Sequence, residues 1–266
     1  MTSSSARARK SLRLRRGWFD VLITMAEADL RSRYGRGPFR LVKWLLDPFA
    51  LVGVYLLLVS FMLKRPGPAP GLSLACAVVP FQLIMSTVIN ATGVIAARRS
   101  IILNVAFERT LLPLATVLTE TIALLASLSL FVVMMAAYRV APTMSALWLP
   151  LAVLATIVLA AGFAYPAMLF GVWFRELRNF AISFVRVMFF LAPSLVPLSQ
   201  TSGSASNLLR LNPFTGLFEA YRDALLLRQT PAPWELLYPI GFGVALLIIF
   251  VPIFRREQRQ FAKVVE

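Results

Sequence analysis

Long apolar runs alternate along this chain with short polar connections, and six of the runs reach the roughly 20 residues that a helix needs to cross a bilayer. They extend from Trp44 to Leu63, Leu72 to Ala97, Leu111 to Ala137, Leu147 to Phe174, Phe180 to Leu198 and Trp234 to Phe254. Ahead of the first run the pattern becomes amphipathic. Between Ser11 and Tyr34, the residues Trp18, Phe19, Leu22, Ile23, Ala26 and Leu30 recur at helical spacing, with Arg13, Arg16, Asp20, Thr24, Glu27 and Arg31 opposite. This predicts a helix lying on a membrane surface, its basic residues toward anionic headgroups and Glu27 paired with Arg31 one turn on. Gly35, Gly37 and Pro38 then break it. The stretch 1–10 is Ser/Ala/Arg-rich, lacks periodicity and is expected to be disordered. It is not a secretory signal, because uninterrupted apolar sequence begins only near Trp44. The expected organisation is a basic N-terminus (1–10), an interfacial helix and linker (11–43), a membrane domain (44–254) and a tail (255–266).

Two connections differ from the rest. Arg98 to Pro113, RRSIILNVAFERTLLP, is too polar for lipid and short enough to fold as one helix parallel to the membrane, at about 98–112. Such a helix turns Ile101, Ile102 and Val105 to one side and Asn104 and Glu108 to another, a handle on which a soluble partner could pull. The segment at about 199–233 opens with polar residues and changes character at Asn212-Pro213. Asn is a good N-cap and Pro suits the first helical position, so a helix is expected from there to Arg228, ahead of Pro231. Phe214, Leu217, Phe218, Tyr221 and Leu225 would form its apolar stripe. On the far side of the membrane such a helix dips back toward the spans or covers the exit; the alternative is a plain extracellular hairpin.

Composition narrows the class. Hydrophobic residues make up 59% of the chain and charged residues 15%, which is the balance of an integral membrane protein. Histidine is absent and Cys76 is the only cysteine, which removes intrachain disulfides, His-ligated zinc and Cys/His nucleophiles. The formal net charge of +15 would suit nucleic acid, but the basic residues fall where membrane topology puts them, so no nucleic acid partner is expected. Both termini and the handle lie on the side richer in Lys and Arg, which makes that side cytoplasmic. Inside the spans, Glu120 and Arg186 lie at similar depth, roughly two turns from the cytoplasmic ends of spans three and five. They form an interhelical pair, or Arg186 snorkels to the headgroups and Glu120 is protonated or wet. No G-x-x-x-x-G-K-[ST] occurs, so any nucleotide the protein uses, such as ATP with Mg, would have to bind another polypeptide, with no cofactor in this chain. Acidic residues are scattered, leaving no cluster for a membrane-embedded transferase or phosphatase.

Three motifs carry a resemblance. RSIILNVAFERTLLPL matches an F-P-R-x-x-L-P run through Phe107, Arg109, Leu112 and Pro113. EADLRSRYGRG matches D-L-x-x-R-Y-R through Asp29, Leu30, Arg33, Tyr34 and Arg36, continued by Trp44 and Pro48. LNPFTGLFEAYRDAL matches N-P-x-T-x-x-x-E-x-x-R through Asn212, Pro213, Thr215, Glu219 and Arg222. In this order the chain resembles the permease subunits of ABC type-2 exporters for polysaccharides such as O-antigen, capsule and teichoic acid. It departs from them with Glu108 in place of a proline, Leu103 and Asn104 in place of lysines, and Gly37-Pro38-Phe39-Arg40 in place of Ser-x-Leu-Gly.

The resemblance implies an all-α integral membrane protein with six transmembrane helices, an N-terminal interfacial amphipathic helix and an outer re-entrant helical segment before the last span. It implies no enzymatic activity in this chain, a second copy of itself as partner, and an ABC ATPase subunit in two copies docked through Ile101, Ile102, Val105, Phe107, Glu108 and Arg109. The substrate would be a polyprenyl-pyrophosphate-linked glycan within membrane lipid. Arg31, Arg33, Tyr34, Arg36, Arg40 and Lys43 crowd the headgroup level where its pyrophosphate would enter, and Arg suits bidentate phosphate contacts. The same cations could instead serve only the positive-inside bias. An outer gate would comprise Asn212, Pro213, Phe214, Glu219, Tyr221 and Arg222. The aromatics Tyr55, Phe81, Tyr165 and Trp173 could offer faces to sugar rings. Alternative readings are a secondary transporter, with Glu120 as the clear candidate for a coupling carboxylate, or a type-2 permease for a smaller lipid or drug.

Overall fold

The computed structural model describes residues 19–32, 46, 49–57, 69–98, 108–174, 178–195, 197–198 and 204–258. Their helices are α1 (19–32), α2 (49–57), α3 (Pro70–Ala97), α4 (Leu111–Ser127), α5 (Ser129–Ala137), a 3-10 turn at Met144–Trp148, α6 (Leu149–Trp173), α7 (Arg178–Phe190), α8 (Ser204–Arg210), α9 (Pro213–Arg222), a π-helical turn at Asp223–Leu227, and α10 (Pro233–Glu257). Among the described residues four helical stretches are long and apolar enough to cross a membrane: Pro70–Ile95, Leu111–Ala137, Met144–Trp173 and Pro233–Glu257. The chain is an integral membrane protein with a helical membrane domain.

The spans begin and end where local chemistry dictates. Proline occupies the first turn of α3, α6, α9 and α10, where its missing N–H costs nothing. Within α4 the hydroxyls of Thr116, Thr119, Thr121 and Ser127 donate to carbonyls one turn back, which satisfies them where water is absent. α6 lies centrally, packed along both α3 and α10. Glycine permits the closest crossings. A Cβ on Gly171 would lie 2.2 Å from the Thr92 carbonyl oxygen of α3, and one on Gly162 would lie 2.7 Å from the Gly243 carbonyl oxygen of α10. Backbones approach this closely in membranes because apolar side chains gain little from leaving lipid, and dispersion between helices takes over.

Three sequence expectations change in detail. The amphipathic helix is present, but only Leu22, Ala26 and Leu30 are buried, while Phe19 and Ile23 face outward. Leu22 packs against Leu111 and Ala115 at the start of α4, so part of the stripe meets protein rather than the membrane surface. The apolar run from Phe180 to Leu198 does not form one helix. α7 ends at Phe190 after 13 residues, about 20 Å of rise, short of the ~30 Å hydrocarbon thickness. Pro193, which lacks an N–H, follows within one turn, and the chain bends through residues 191–195. Lastly, α9 carries more than an apolar stripe: every one of its residues is buried, Thr215, Glu219 and Arg222 included. It packs on α10, α3 and α6. Phe214 sits among Phe81, Phe163 and Phe218 at ring separations of 5.9, 5.9 and 6.1 Å.

Candidate functional site

Functional candidates gather at the two ends of the bundle. At the end where α9 meets α10, Asn212 caps α9 by accepting the Phe214 N–H at 3.0 Å, the role its sequence position predicts. Its amide also donates to the Met188 carbonyl of α7 at 2.6 Å, tying the hairpin to the broken apolar segment. Arg222, with no exposed surface, extends that tie. Its Nη1 donates to the Pro193 carbonyl at 2.6 Å and its Nη2 to that of Ser194 at 2.8 Å, while Nε reaches Ser73 Oγ of α3 at 3.1 Å. The carbonyls left over by the bend after α7 are thus taken by a guanidinium whose planar fork fits them.

Glu219, one helical turn before Arg222, neutralises the cation at 2.7 Å, and the same Oε1 accepts the Leu198 N–H at 3.1 Å. Tyr221 shares a 3.0 Å hydrogen bond with Thr156 of α6 and lies 5.8 Å from the Phe131 ring of α5. Pro213 and Phe214 are fully enclosed in the first turn. The six residues expected at an outer gate therefore form one buried hydrogen-bonded and aromatic knot, touching α3, α5, α6 and α7.

At the opposite end lie the two described ends of the handle. Arg98 closes α3, donating its backbone N–H to Val94, and its side chain pairs with Asp29 of α1. At the other end Thr110 Oγ1 donates to Glu108 at 2.7 Å, and Arg109 Nη1 donates to the Gln258 carbonyl at the close of α10. Tyr165 of α6 donates to the Thr110 carbonyl at 3.1 Å. The start of α4 is in this way fastened to the last span and to α6. Ile101, Ile102, Val105 and Phe107 lie outside the described residues, as do Arg33, Tyr34, Arg36, Arg40 and Lys43. Arg31 is described, exposed and paired with Glu27, as the one-turn spacing predicts.

Glu120 is buried in α4 and accepts a hydrogen bond from Asn90 of α3 at 2.8 Å. Arg186 lies on the exposed side of α7. Of the aromatics, Tyr165 is buried edge-on to Phe254 at 5.5 Å and Phe81 is stacked on Phe189 at 4.2 Å. Tyr55 lies 6.0 Å from Phe189, and Trp173 is half exposed. Burial closes the ring of Tyr165 to a passing ligand, and stacking on Phe189 covers one face of Phe81. The sequence reading missed the Asp29–Arg98 pair, the Asn90–Glu120 bond, and Arg178 of α7, whose Nε donates to Thr92 at 3.0 Å. These contacts join residues 69, 30 and 86 positions apart, and no short-range spacing announces them.

No protein-family model matches the chain. Among curated proteins, it is 27% identical over 246 residues to the O-antigen export system permease protein RfbA of Myxococcus xanthus, covering 91% of this chain and 94% of that protein. It is 23% identical over 248 residues to the protein of the same name from Klebsiella pneumoniae, covering 92% and 95%. Over nine-tenths of its length, this chain resembles the permease subunit of an ABC type-2 O-antigen exporter.

Proposed function

We propose that the chain is the transmembrane permease subunit of an ATP-driven ABC exporter that moves a lipid-linked polysaccharide from the cytoplasm across the inner membrane. The observation that carries this reading is the near end-to-end similarity to O-antigen export permeases. The geometry agrees with it. A permease moved by a separate motor needs a stiff path from its cytoplasmic connection into the spans. Arg109, Thr110 and Tyr165 supply one, because they bind the end of the connection to α10 and α6.

In this reading the chain crosses six times, with α2 inside the first span, α7 and the bend after it forming the fifth, and both termini cytoplasmic. A second copy completes the conduit, and each copy docks an ATPase subunit on the handle, where Ile101, Ile102, Val105, Phe107, Glu108 and Arg109 make the contact. ATP and Mg stay on that subunit. Closure of the motor pushes the handle, and spans two and three shift with it. At the far side α9 is a re-entrant gate, and its release from Pro193 and Ser194 would open the exit. The glycan arrives on polyprenyl pyrophosphate, with Arg31, Arg33, Tyr34, Arg36, Arg40 and Lys43 at its entrance.

Depletion of the protein in its own cells tests this directly. Lipid-linked glycan is expected to accumulate on the cytoplasmic side, and the protein is expected to co-purify with a nucleotide-hydrolysing subunit. Transport by the purified chain without any such companion would overturn the reading.

A further inference from the structure

Two buried carboxyl groups at the hairpin end take no part in the knot around Arg222. Asp223 opens the π-helical turn after α9 and is 5% exposed, and Glu235 stands in the first turn of α10 and is 6% exposed. Their side chains are in hydrogen-bond contact with each other. We infer that Asp223 and Glu235 share one proton, and that this proton latches the hairpin to the last span and lets it go as the pH rises.

The contact itself demands a proton, because an ionised carboxylate can only accept and two carboxyl groups bonded together need a hydrogen on one of them. The charged groups around the pair do not remove that need. Arg222, one residue before Asp223, already meets Glu219 and the carbonyls of Pro193 and Ser194. Arg210 of α8 is exposed, 5.3 Å from the centre of the Trp234 ring, and Arg228 is exposed beyond the π-helical turn. From α9, Tyr221 is engaged with Thr156, and Glu219 adds a third acid close enough to act on both carboxyls. The 3-10 turn at Met144–Trp148 brings only the uncharged Ser145, which donates to the Ala224 carbonyl at 2.8 Å. Like charges crowded into so dry a place cannot all ionise, and burial pushes the Asp223 carboxyl, outside the four spans, above its usual range.

The pair joins two elements. Asp223 is tied back by its carbonyl, which accepts the Gln229 N–H at 3.0 Å, and Glu235 Oε2 accepts the Ala232 N–H at 3.1 Å. The shared proton thus fastens both ends of the short connection 228–232, and with it the end of the hairpin to the start of α10. In the open hairpin both carboxyls meet water and ionise in the ordinary carboxylate range; in the closed one they keep a proton well above it. Between those two limits each pH unit lowers the preference for the closed form about tenfold. Closure is therefore complete in acid and is lost as the pH rises through the titration of the pair, when Asp223, Glu235 and Glu219 are left as anions around Arg222. That the hairpin gates an exit rests on the export reading above, whereas its proton-held closure does not.

The test uses the full chain in phosphatidylcholine nanodiscs, with neither glycan nor ATPase present. Cys76, the only cysteine, is fully buried in α3 within electrostatic reach of Arg222 and Glu219, so its labelling by a maleimide reports opening of the hairpin. The reference is Glu235→Gln, whose amide donates to Asp223 without titrating, and the ratio of rates at one pH cancels the ionisation of the thiol. Equal rates are expected at about pH 5.5, and labelling about tenfold faster in the wild type at about pH 9. Asp223→Asn should follow Glu235→Gln, and Glu219→Gln, which leaves the pair intact, should keep the rise with pH. The thermal midpoint of the wild type needs no variant and should fall over the same interval. A flat wild-type midpoint, a ratio that stays at one, or a pair variant that labels as steeply with pH as the wild type overturns the inference. Such a failure leaves the export reading standing, since no transport is measured, whereas depletion without glycan accumulation sinks the export reading and leaves the labelling result in place.

Discussion

Arg222 decides whether the hairpin end holds together, because its guanidinium answers carbonyls that no helix can satisfy after Pro193. Replacing it with methionine keeps an unbranched stem but removes the guanidinium, and leaves Glu219 as a buried charge without its partner. The expected loss is about 3–5 kcal/mol, read as a lower thermal midpoint in detergent. Arg222→Lys should rescue little, since one ammonium cannot reach Ser73, Pro193 and Ser194 together. Glu219→Gln retains an acceptor for Arg222 and for the Leu198 N–H, and should cost distinctly less than Arg222→Met. Asn212→Ala removes both the α9 cap and the tie to Met188. A loss of about 1 kcal/mol for the cap, with a further contribution from the tie, is expected in the same measurement.

At the scale of elements, the contacts of α6 with its neighbours set how tightly the described spans assemble. Gly171→Ala would drive a methyl group into the Thr92 carbonyl, and Gly162→Ala into the backbone of Gly243. Both are expected to lower the thermal midpoint and the yield of folded protein. Gly241, in the same last span, provides the contrast, because nothing lies within 4 Å of a Cβ built there. Gly241→Ala should be neutral or stabilising by up to ~1 kcal/mol, since alanine is the better helix former. A destabilised Gly241→Ala beside an intact Gly171→Ala would contradict this account of the crossings. The glycine positions were visible in the sequence. Which of them meet another backbone was not, because that depends on the rotation of each helix about its axis.

For the whole molecule, the question is how movement at the handle reaches the far end. Arg109 fastens the start of α4 to the close of α10, and α10 in turn packs on α9 at the hairpin end. Arg109→Ala is therefore expected to cut glycan export several-fold, measured as lipid-linked glycan retained in the cytoplasmic leaflet, in the fraction of the protein that the other handle residues still hold to the ATPase subunit. A transport defect no larger than the loss of co-purification would leave Arg109 in docking alone, with no part in transmission. Glu120 and Arg186 supply a second test at this scale. If they pair during the cycle, exchanging the two charges should restore the export that each single substitution removes.

What the sequence determined by itself was the membrane class, the described spans, the amphipathic helix with its Glu27–Arg31 pair, and the start of α9 at Asn212-Pro213. Each of these depends on runs, periodicity or capping chemistry that acts within a few residues along the chain. Tertiary structure decided the rest. It ended α7 at Phe190 and handed the freed carbonyls to Arg222, turned Phe19 and Ile23 of the amphipathic stripe away from the protein, and buried the polar residues of α9 along with its apolar ones. It also brought Asp29, Arg98 and Arg178 around one cavity. Hydropathy measures transfer from water to lipid, whereas a polar group inside a helical bundle is stabilised by partners from distant parts of the chain, and those partners exist only once the helices have packed.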